Sequence, residues 1–111
     1  MTREIYQKSE EITNVRQTIS YMLDVLTTET KAQGKDAGCQ VVLFLNKDDE
    51  GFEWKMFVYY DADTNDYRYS YQDQDYNDTD FIFHNSLEEV TKEMLDEIDH
   101  VGGFEGICVD F

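Results

Sequence analysis

The stretch FEWKMFVYYDADTNDYRYSYQ, residues 52–72, indicates how this chain folds. Side chains alternate in character over residues 52–60 and again over residues 67–72, which is the period of a β-strand. The six residues DADTND separate the two segments, and Asp and Asn favour turns because their side chains bond nearby backbone. The stretch therefore predicts two antiparallel strands joined by a short turn.

Apolar segments on both sides of this stretch extend the pair into a larger sheet. CQVVLFL, residues 39–45, is apolar on both faces, which is typical of a central strand. FIF at residues 81–83 predicts a short edge strand, and residues 107–109 lie in a last apolar segment. We therefore expect an antiparallel meander of about 4–5 strands.

A long helix is predicted before the sheet, over residues 3–33. Thr2 fits the N-cap position, and Gly34 fits the end of the helix. The pattern indicates a helix packed on a sheet, with a coiled-coil dimer as the alternative. The apolar residues have helical spacing, at intervals of 7, 3, 4, 3 and 4: Ile5, Ile12, Val15, Ile19, Met22 and Leu26.

A second helix is predicted from residue 86. Ser86 and Glu89 have the spacing of a capping box, and Gly102 and Gly103 end the helix. The apolar positions between them keep the helical period: Leu87, Val90, Met94, Leu95, Ile98 and Val101. Three acids crowd the last turn, where the helix dipole disfavours them, so they face either solvent or a partner: Asp96, Glu97 and Asp99.

Together these elements predict one α+β domain over residues 1–111. Its order is α-β-β-β-(β)-α-β, with a long N-terminal helix and a second helix before the last strand. Both helices are expected to cover one face of the antiparallel sheet. The helix at residues 3–33 is nearly neutral, and residues 37–111 form an acidic α+β body.

The N-terminus and the hydropathy of the chain predict where the protein resides. The first residues are charged and contain no apolar region of the kind found in signal peptides. No apolar run approaches the roughly 18–20 residues that span a bilayer. We therefore expect an intracellular protein in the cytoplasm of a bacterial host cell, in which Cys39 and Cys108 remain buried thiols.

The net charge is the most unusual feature of the composition. The chain has 25 acidic and 9 basic residues, for a net charge of −16. Residues 1–36 carry 6 acids and 5 bases, whereas residues 37–111 carry 19 acids and 4 bases. Such a field repels nucleic acid and anionic membranes and attracts basic proteins. The alternative is that the acid only confers solubility.

Two copies of the pattern D-x-D-x-N-D begin at Asp61 and Asp73, twelve residues apart. They match the oxygen ligands at positions 1, 3 and 5 of a calcium-binding loop. Position 6 needs glycine but is Asp in both copies, and position 12 needs Glu but is Gln72 or His84. We therefore predict no specific metal site, with a calcium-binding regulatory module as an alternative.

The same region is better interpreted as a partner-binding surface. Alternate carboxylates on an extended chain lie about 6.6 Å apart, comparable to successive phosphates of a nucleic acid. Tyrosines between them supply the flat amphipathic area found in interface hot spots. The predicted partner-binding residues are Asp61, Asp63, Asp66, Asp73, Asp75, Asp78 and Asp80, with Tyr69, Tyr71 and Tyr76 as anchors.

Motifs for catalysis or cofactor binding are not found in the sequence. His84 and His100, with Cys39 and Cys108, lack the spacing of a zinc site or of a nucleophile and its base. The glycines near residue 103 follow a helix and lack the lysine of a phosphate-binding loop. We therefore expect no enzyme activity and no cofactor.

In size, acidity and lack of catalytic motifs the chain resembles acidic protein inhibitors. These include phage-encoded nucleic-acid mimics, among them some anti-CRISPR proteins, and immunity proteins that neutralise nuclease toxins. The resemblance is one of composition and carries over no residues. It implies an inhibitor that binds the basic surface of a nuclease or effector and blocks DNA, RNA or guide binding. We expect the protein to be a monomer or a homodimer. An immunity protein for one specific toxin is the alternative.

Overall fold

A computed structural model describes residues 3–79 and 81–111 and confirms the α+β class. Two helices pack on one face of an antiparallel sheet. The helices are α1 (Val15–Gln33) and α2 (Leu87–Val101), and short 3-10 turns lie at Ser9–Glu11 and Lys35–Ala37. The strands in the described part of the chain are β1 (Glu4–Lys8), β2 (Gln40–Leu45), β3 (Trp54–Asp61), β4 (Asp66–Asp73), β5 (Ile82–Asn85) and β6 (Phe104–Asp110).

The strands have the order β1-β6-β2-β3-β4-β5, and each neighbouring pair is antiparallel. β2 to β5 form the predicted meander. After β5, helix α2 carries the chain back across the sheet, so that β6 pairs with β2. β1 then pairs with the free side of β6, which makes it an edge strand.

The register of β3 and β4 decides which side chains face the helices. Met56 lies opposite Tyr71, and Val58 lies opposite Tyr69, so the tyrosines of β4 point to the same side as the apolar residues of β3. Complete burial of one apolar side chain stabilises the fold by about 1.5–3 kcal/mol. Residues with almost no exposure join both helices to the sheet: Ile19, Met22, Leu23, Leu26, Leu43, Met56, Val58, Val90, Met94 and Ile107.

The start of the first helix differs from the prediction, because residues 4–8 form a strand. Ile5 pairs with Val109 of β6 instead of continuing the apolar face of a helix. The prediction of a helix over residues 3–33 is therefore wrong for its first part, and Thr2 lies outside the described residues. The seven-residue interval from Ile5 to Ile12 also fits a strand followed by a turn, and the partner strand is about a hundred residues away in sequence.

Local signals define both ends of α1 and α2 in the structure. Asn14 caps α1, since its side-chain oxygen accepts a hydrogen bond from the Gln17 amide at 3.0 Å. Ser86 and Glu89 form the predicted capping box of α2. Gly102 ends α2 in the left-handed conformation, with φ of 78°, which glycine adopts easily.

The two cysteines are buried thiols on opposite faces of the sheet. Cys39 belongs to the core on the helix side, and Cys108 lies beside Val42 on the other side. Burial, with the nearby charges of Asp110 and Glu4, raises the pKa of Cys108 to about 12. Although β2 and β6 are neighbours, the sheet itself separates the two thiols.

Replacement of Asn14 tests where α1 begins. We expect Asn14→Ala to lower the free energy of unfolding by about 1 kcal/mol, because the first-turn amides lose their side-chain acceptor. Urea denaturation followed by circular dichroism measures this change. Thr13→Ala, at the exposed preceding residue, is the control and should have little effect. Equal effects of the two replacements would contradict a helix start at Val15.

Candidate functional site

The two Asp-rich repeats lie at opposite ends of β4. This strand has eight residues, Asp66–Asp73. At a rise of about 3.3 Å per residue its ends are about 23 Å apart. The repeats therefore cannot form one continuous row of carboxylates, and the predicted surface divides into a turn at residues 61–66 and a loop at residues 73–79.

The turn at residues 61–66 is largely occupied by its own hydrogen bonds and ion pairs. Asp61 accepts a hydrogen bond from the Asp63 amide at 2.9 Å. Arg68 forms an ion pair with Asp61 and lies 3.9 Å from Asp66, which is only 8% exposed. Of the three predicted acids in this turn, Asp63 is exposed, Asp61 is half-buried and Asp66 is buried. The turn is therefore partly neutralised and mainly structural.

The loop at residues 73–79 is an Asx-type turn that projects its middle residues. The Asp73 carboxylate accepts hydrogen bonds from the amides of Asp75 and Asn77, both at 2.9 Å, and the Asn77 amide in particular lowers the pKa of Asp73. Asp78 accepts from the Gln72 side chain at 2.9 Å. Asp75 is exposed at the tip of the loop, and Asp80 lies outside the described residues.

The predicted tyrosine anchors separate into one exposed residue and two that face the helices. Tyr76 is 77% exposed, with a positive φ of 64° in the same loop. Tyr69 is only 6% exposed, and half-buried Tyr71 donates a hydrogen bond to Glu93 of α2 at 2.8 Å. Because of the β4 register, Tyr69 and Tyr71 lie on the helix side of the sheet and pack toward α2.

A second acidic turn, at residues 46–53, lies beside the loop at residues 73–79. The Glu53 amide donates to the Gln74 side chain at 3.4 Å, and Trp54 pairs with Asp73 across the two strands. Asp48 organises this turn, since one of its oxygens accepts from the amides of Glu50 and Phe52. Its other oxygen accepts from the indole nitrogen of Trp54 at 3.0 Å. The Phe52 amide and the Trp54 indole lower the pKa of Asp48 most.

We call the turn at residues 46–53, the loop at residues 73–79 and the last turn of α2, residues 97–101, the acidic end. It contains nine acidic residues and one lysine, Lys47, which lies 3.9 Å from Glu53. The acids are Asp48, Asp49, Glu50, Glu53, Asp73, Asp75, Asp78, Glu97 and Asp99. Six of them lie outside the two Asp-rich repeats and were not among the predicted site residues. Of these six, the sequence singled out only Glu97 and Asp99, as acids in the last turn of a helix.

A pocket of about 310 Å³ opens at the acidic end, between α2 and the first residues of β3. Its apolar lining comes from Leu45, Trp54, Tyr71 and Val101, and its polar lining includes Asp48, Glu97 and His100. These residues come from β2, the turn at residues 46–53, β3, β4 and α2. Periodicity could place each one on its element, but only the packing of α2 against the sheet brings them together.

Of the two acids that line the pocket, Glu97 is the one whose charged form the fold disfavours. Partial burial, followed by the negative charge of neighbouring Glu93, raises the pKa of Glu97. The nearby Lys92 does not relieve this repulsion, because its ammonium group contacts Asp96 at 2.6 Å on the outer face of α2. A cation placed in the pocket would favour the charged form of Glu97.

The best grouping of possible metal ligands lies elsewhere. Within the described residues, three ligand atoms converge at Glu4, Cys108 and Asp110, on the sheet face that the helices leave uncovered. In the Asp-rich turns, the Asp61 and Asp73 carboxylates instead accept backbone amides, which would compete with a cation. Among the residues that the structure describes, neither Asp-rich repeat brings three such ligand atoms together.

Comparison with protein-family models, with curated proteins and with solved structures returns no match to this chain. Neither α1 nor α2 is long and apolar enough to cross a membrane, over the residues that the structure describes.

Replacement of Asp48 tests whether this residue organises the turn at residues 46–53. We expect Asp48→Ala to lower the unfolding midpoint and to shift Trp54 emission to longer wavelength, because two amides and the indole lose their acceptor. Thermal unfolding and fluorescence spectra measure these effects. Asp49→Ala, at the exposed next residue, is the matched control. An unchanged emission spectrum in Asp48→Ala would contradict this role.

The raised pKa of Glu97 has a consequence for stability. Because the charged carboxylate is disfavoured in the fold, the native chain loses stability as pH rises from the ordinary Glu value of 4.5 through the folded-state pKa. Glu97→Gln removes this titration. We therefore expect the stability of Glu97→Gln relative to the native chain to be greater at about pH 7 than at about pH 4.

Urea denaturation at both pH values measures the difference, with Glu88→Gln at the exposed start of α2 as the matched control. A relative stability of Glu97→Gln that fell with rising pH would show that Glu97 forms a favourable internal charge interaction instead.

Proposed function

We propose that this protein is an acidic inhibitor that uses its acidic end to bind the basic nucleic-acid-binding surface of a nuclease or effector. Binding would block access of DNA, RNA or guide to that surface. The observation that carries the proposal is the concentration of nine acids against one lysine at one end of the sheet. Such an arrangement is complementary to the Lys- and Arg-rich surfaces that bind phosphate backbones.

The charges of the acidic end are close enough to act on a partner together. Backbone and side-chain contacts hold the two loops side by side, and the pocket joins them to the last turn of α2. The Debye length is about 8 Å at physiological ionic strength, so neighbouring carboxylates reinforce one another at short range. This field would accelerate encounter with a basic surface and would weaken as salt is added.

Tyr76 supplies an exposed aromatic contact among these charges. Its backbone amide donates to the Asp73 carbonyl at 3.1 Å, and the Asp73 carboxylate holds the next residue. The loop therefore presents the tyrosine from an ordered turn, which reduces the entropy lost on binding. Tyrosine is among the residue types enriched in interface hot spots.

The proposed interface is narrower than the one expected from the sequence. Arg68 offsets the charges of Asp61 and Asp66, and that turn lies at the other end of β4. We therefore assign the principal role to Asp75, Asp78 and Tyr76, together with the acids at residues 48–53.

An immunity protein that neutralises one specific toxin is the alternative function. The observation that favours it is the pocket with Trp54 and Tyr71 in its lining, since a shaped pocket suits the recognition of one particular protein. In that case shape would dominate over charge, and binding would depend less on salt.

A set of charge replacements tests the proposal. The variant Asp49→Asn, Glu50→Gln, Asp75→Asn removes three exposed charges from the acidic end, and Asp36→Asn, Asp63→Asn, Glu88→Gln removes three exposed charges from the opposite end. A basic nucleic-acid enzyme captured from a bacterial lysate at low salt, and then purified, is the binding partner to be measured.

We expect the first variant to bind at least about tenfold more weakly, which corresponds to 1.4 kcal/mol, and the second to bind within about twofold of the native chain. Added DNA or RNA should displace the native protein. If both variants lost the same affinity, binding would depend on net charge and not on the position of the acids, which would contradict the proposed interface. Binding that nucleic acid cannot displace would favour the immunity function instead.

A further inference from the structure

The pocket at the acidic end has the size and lining to receive a single side chain of a partner. Its volume of about 310 Å³ lies at the lower limit of ligand pockets, which range over about 300–1,000 Å³. Leu45, Trp54, Tyr71 and Val101 make its lining largely apolar. A long side chain with an apolar stem matches such a lining better than a small hydrated ion does.

The charges at the pocket select a cation. Asp48 and Glu97 both line it, with His100 beside Glu97, and among the described lining residues there is no lysine or arginine. Glu93 lies next to this group, since it accepts a hydrogen bond from Tyr71 at 2.8 Å. An anionic or purely apolar occupant would leave these carboxylates uncompensated in a partly dry site.

The combination of aromatic rings and carboxylates favours guanidinium over ammonium. A guanidinium group is planar, stacks on aromatic rings and pairs with a carboxylate through two parallel hydrogen bonds. It is also less strongly hydrated than an ammonium group, so its transfer into the pocket costs less. Trp54 and Tyr71 supply the rings, and Glu97 supplies the carboxylate.

The walls of the pocket are held in position by contacts that do not depend on an occupant. Trp54 is bound through its indole nitrogen to Asp48, which also accepts the amides of Glu50 and Phe52. Tyr71 is bound through its hydroxyl to Glu93. Because Asp48 already accepts three hydrogen bonds, it contributes mainly its charge. Glu97 is the other carboxylate of the pocket, and Tyr71 and His100 also interact with it.

We propose that this pocket binds an arginine side chain of the partner, with the guanidinium group paired to Glu97 and stacked between Trp54 and Tyr71. The inference deepens the proposed function and rests on it, because it names the group on the basic surface that the acidic end recognises. Arginine side chains that contact phosphates would be sequestered here in place of the nucleic-acid backbone.

Trp54 provides a direct readout, because it is the single tryptophan of the chain and lines the pocket. The probe is the capped tripeptide acetyl-Ala-Arg-Ala-amide, titrated while tryptophan emission is recorded. The same peptide with citrulline keeps the shape and removes the charge, and the peptide with lysine keeps the charge and removes the planar group. Free N-acetyl-tryptophanamide corrects for collisional quenching.

We expect a saturable change with the arginine peptide, at least about threefold weaker binding of the lysine peptide and no saturable change with citrulline. Glu97→Gln should weaken binding of the arginine peptide at least about tenfold, whereas Glu88→Gln should bind as the native chain does. The emission spectrum of Glu97→Gln without peptide checks that its fold is intact. Equal binding of arginine and citrulline, or no effect of Glu97→Gln, would overturn the proposal.

The outcomes separate this inference from the proposed function. Suppose that the acidic-end variant loses partner binding and that the native protein shows no response to the arginine peptide. This result would support the inhibitor function and overturn the proposal that the pocket binds arginine. A response to the arginine peptide that depends on Glu97, with unchanged partner binding in the acidic-end variant, would support arginine binding in the pocket. It would overturn the interface assigned to the acidic end.

Discussion

The structure depends above all on the pairing register of β3 with β4. Side chains alternate across a strand, so a shift of one residue would move every β4 side chain to the opposite face. In the observed register the tyrosines of β4 lie opposite the apolar residues of β3 and contact both helices. Tyr67 shares a hydrogen bond with Thr27 of α1 at 2.6 Å, and Tyr71 donates to Glu93 of α2. The hairpin turn supports this register, because Asp61 caps the turn amides and pairs with Arg68.

The acids of this chain perform two different physical roles. Asp48, Asp61 and Asp73 accept backbone amides within turns, where a charged acceptor makes a stronger hydrogen bond than a neutral one. Asp49 and Asp75 are exposed at the tips of loops and contribute to the negative field around the protein. A count of acidic residues therefore overstates the number of carboxylates that a partner could reach, and only the hydrogen bonds of the fold distinguish the two roles.

The few cations after residue 36 leave the acidic end uncompensated. Arg68 is committed to the hairpin turn, Lys55 lies over the ring of Phe44 at 5.7 Å, and Lys92 contacts Asp96. Only Lys47 belongs to the acidic end, and its ammonium nitrogen lies 3.9 Å from a carboxylate oxygen of Glu53. Repulsion among the remaining carboxylates destabilises the isolated protein, and the approach of a basic surface would relieve it. Under the proposed function, the same repulsion would limit stability and favour binding.

Short stretches of the sequence determined much of the secondary structure and the charge of this protein. The alternation in residues 52–72 specifies the hairpin, the Ser86–Glu89 capping box specifies where α2 begins, and the acid count specifies the sign of the field, because each depends on residues close together in the chain. The tertiary structure alone decided three other features. Residues 4–8 form a strand because β6 offers them backbone partners, and the two Asp-rich repeats are separated because β4 lies between them. The pocket exists because α2 packs its last turn against Trp54 and Tyr71. These features arise from contacts between residues distant in sequence, and periodicity and local propensity contain no information about which distant segments meet.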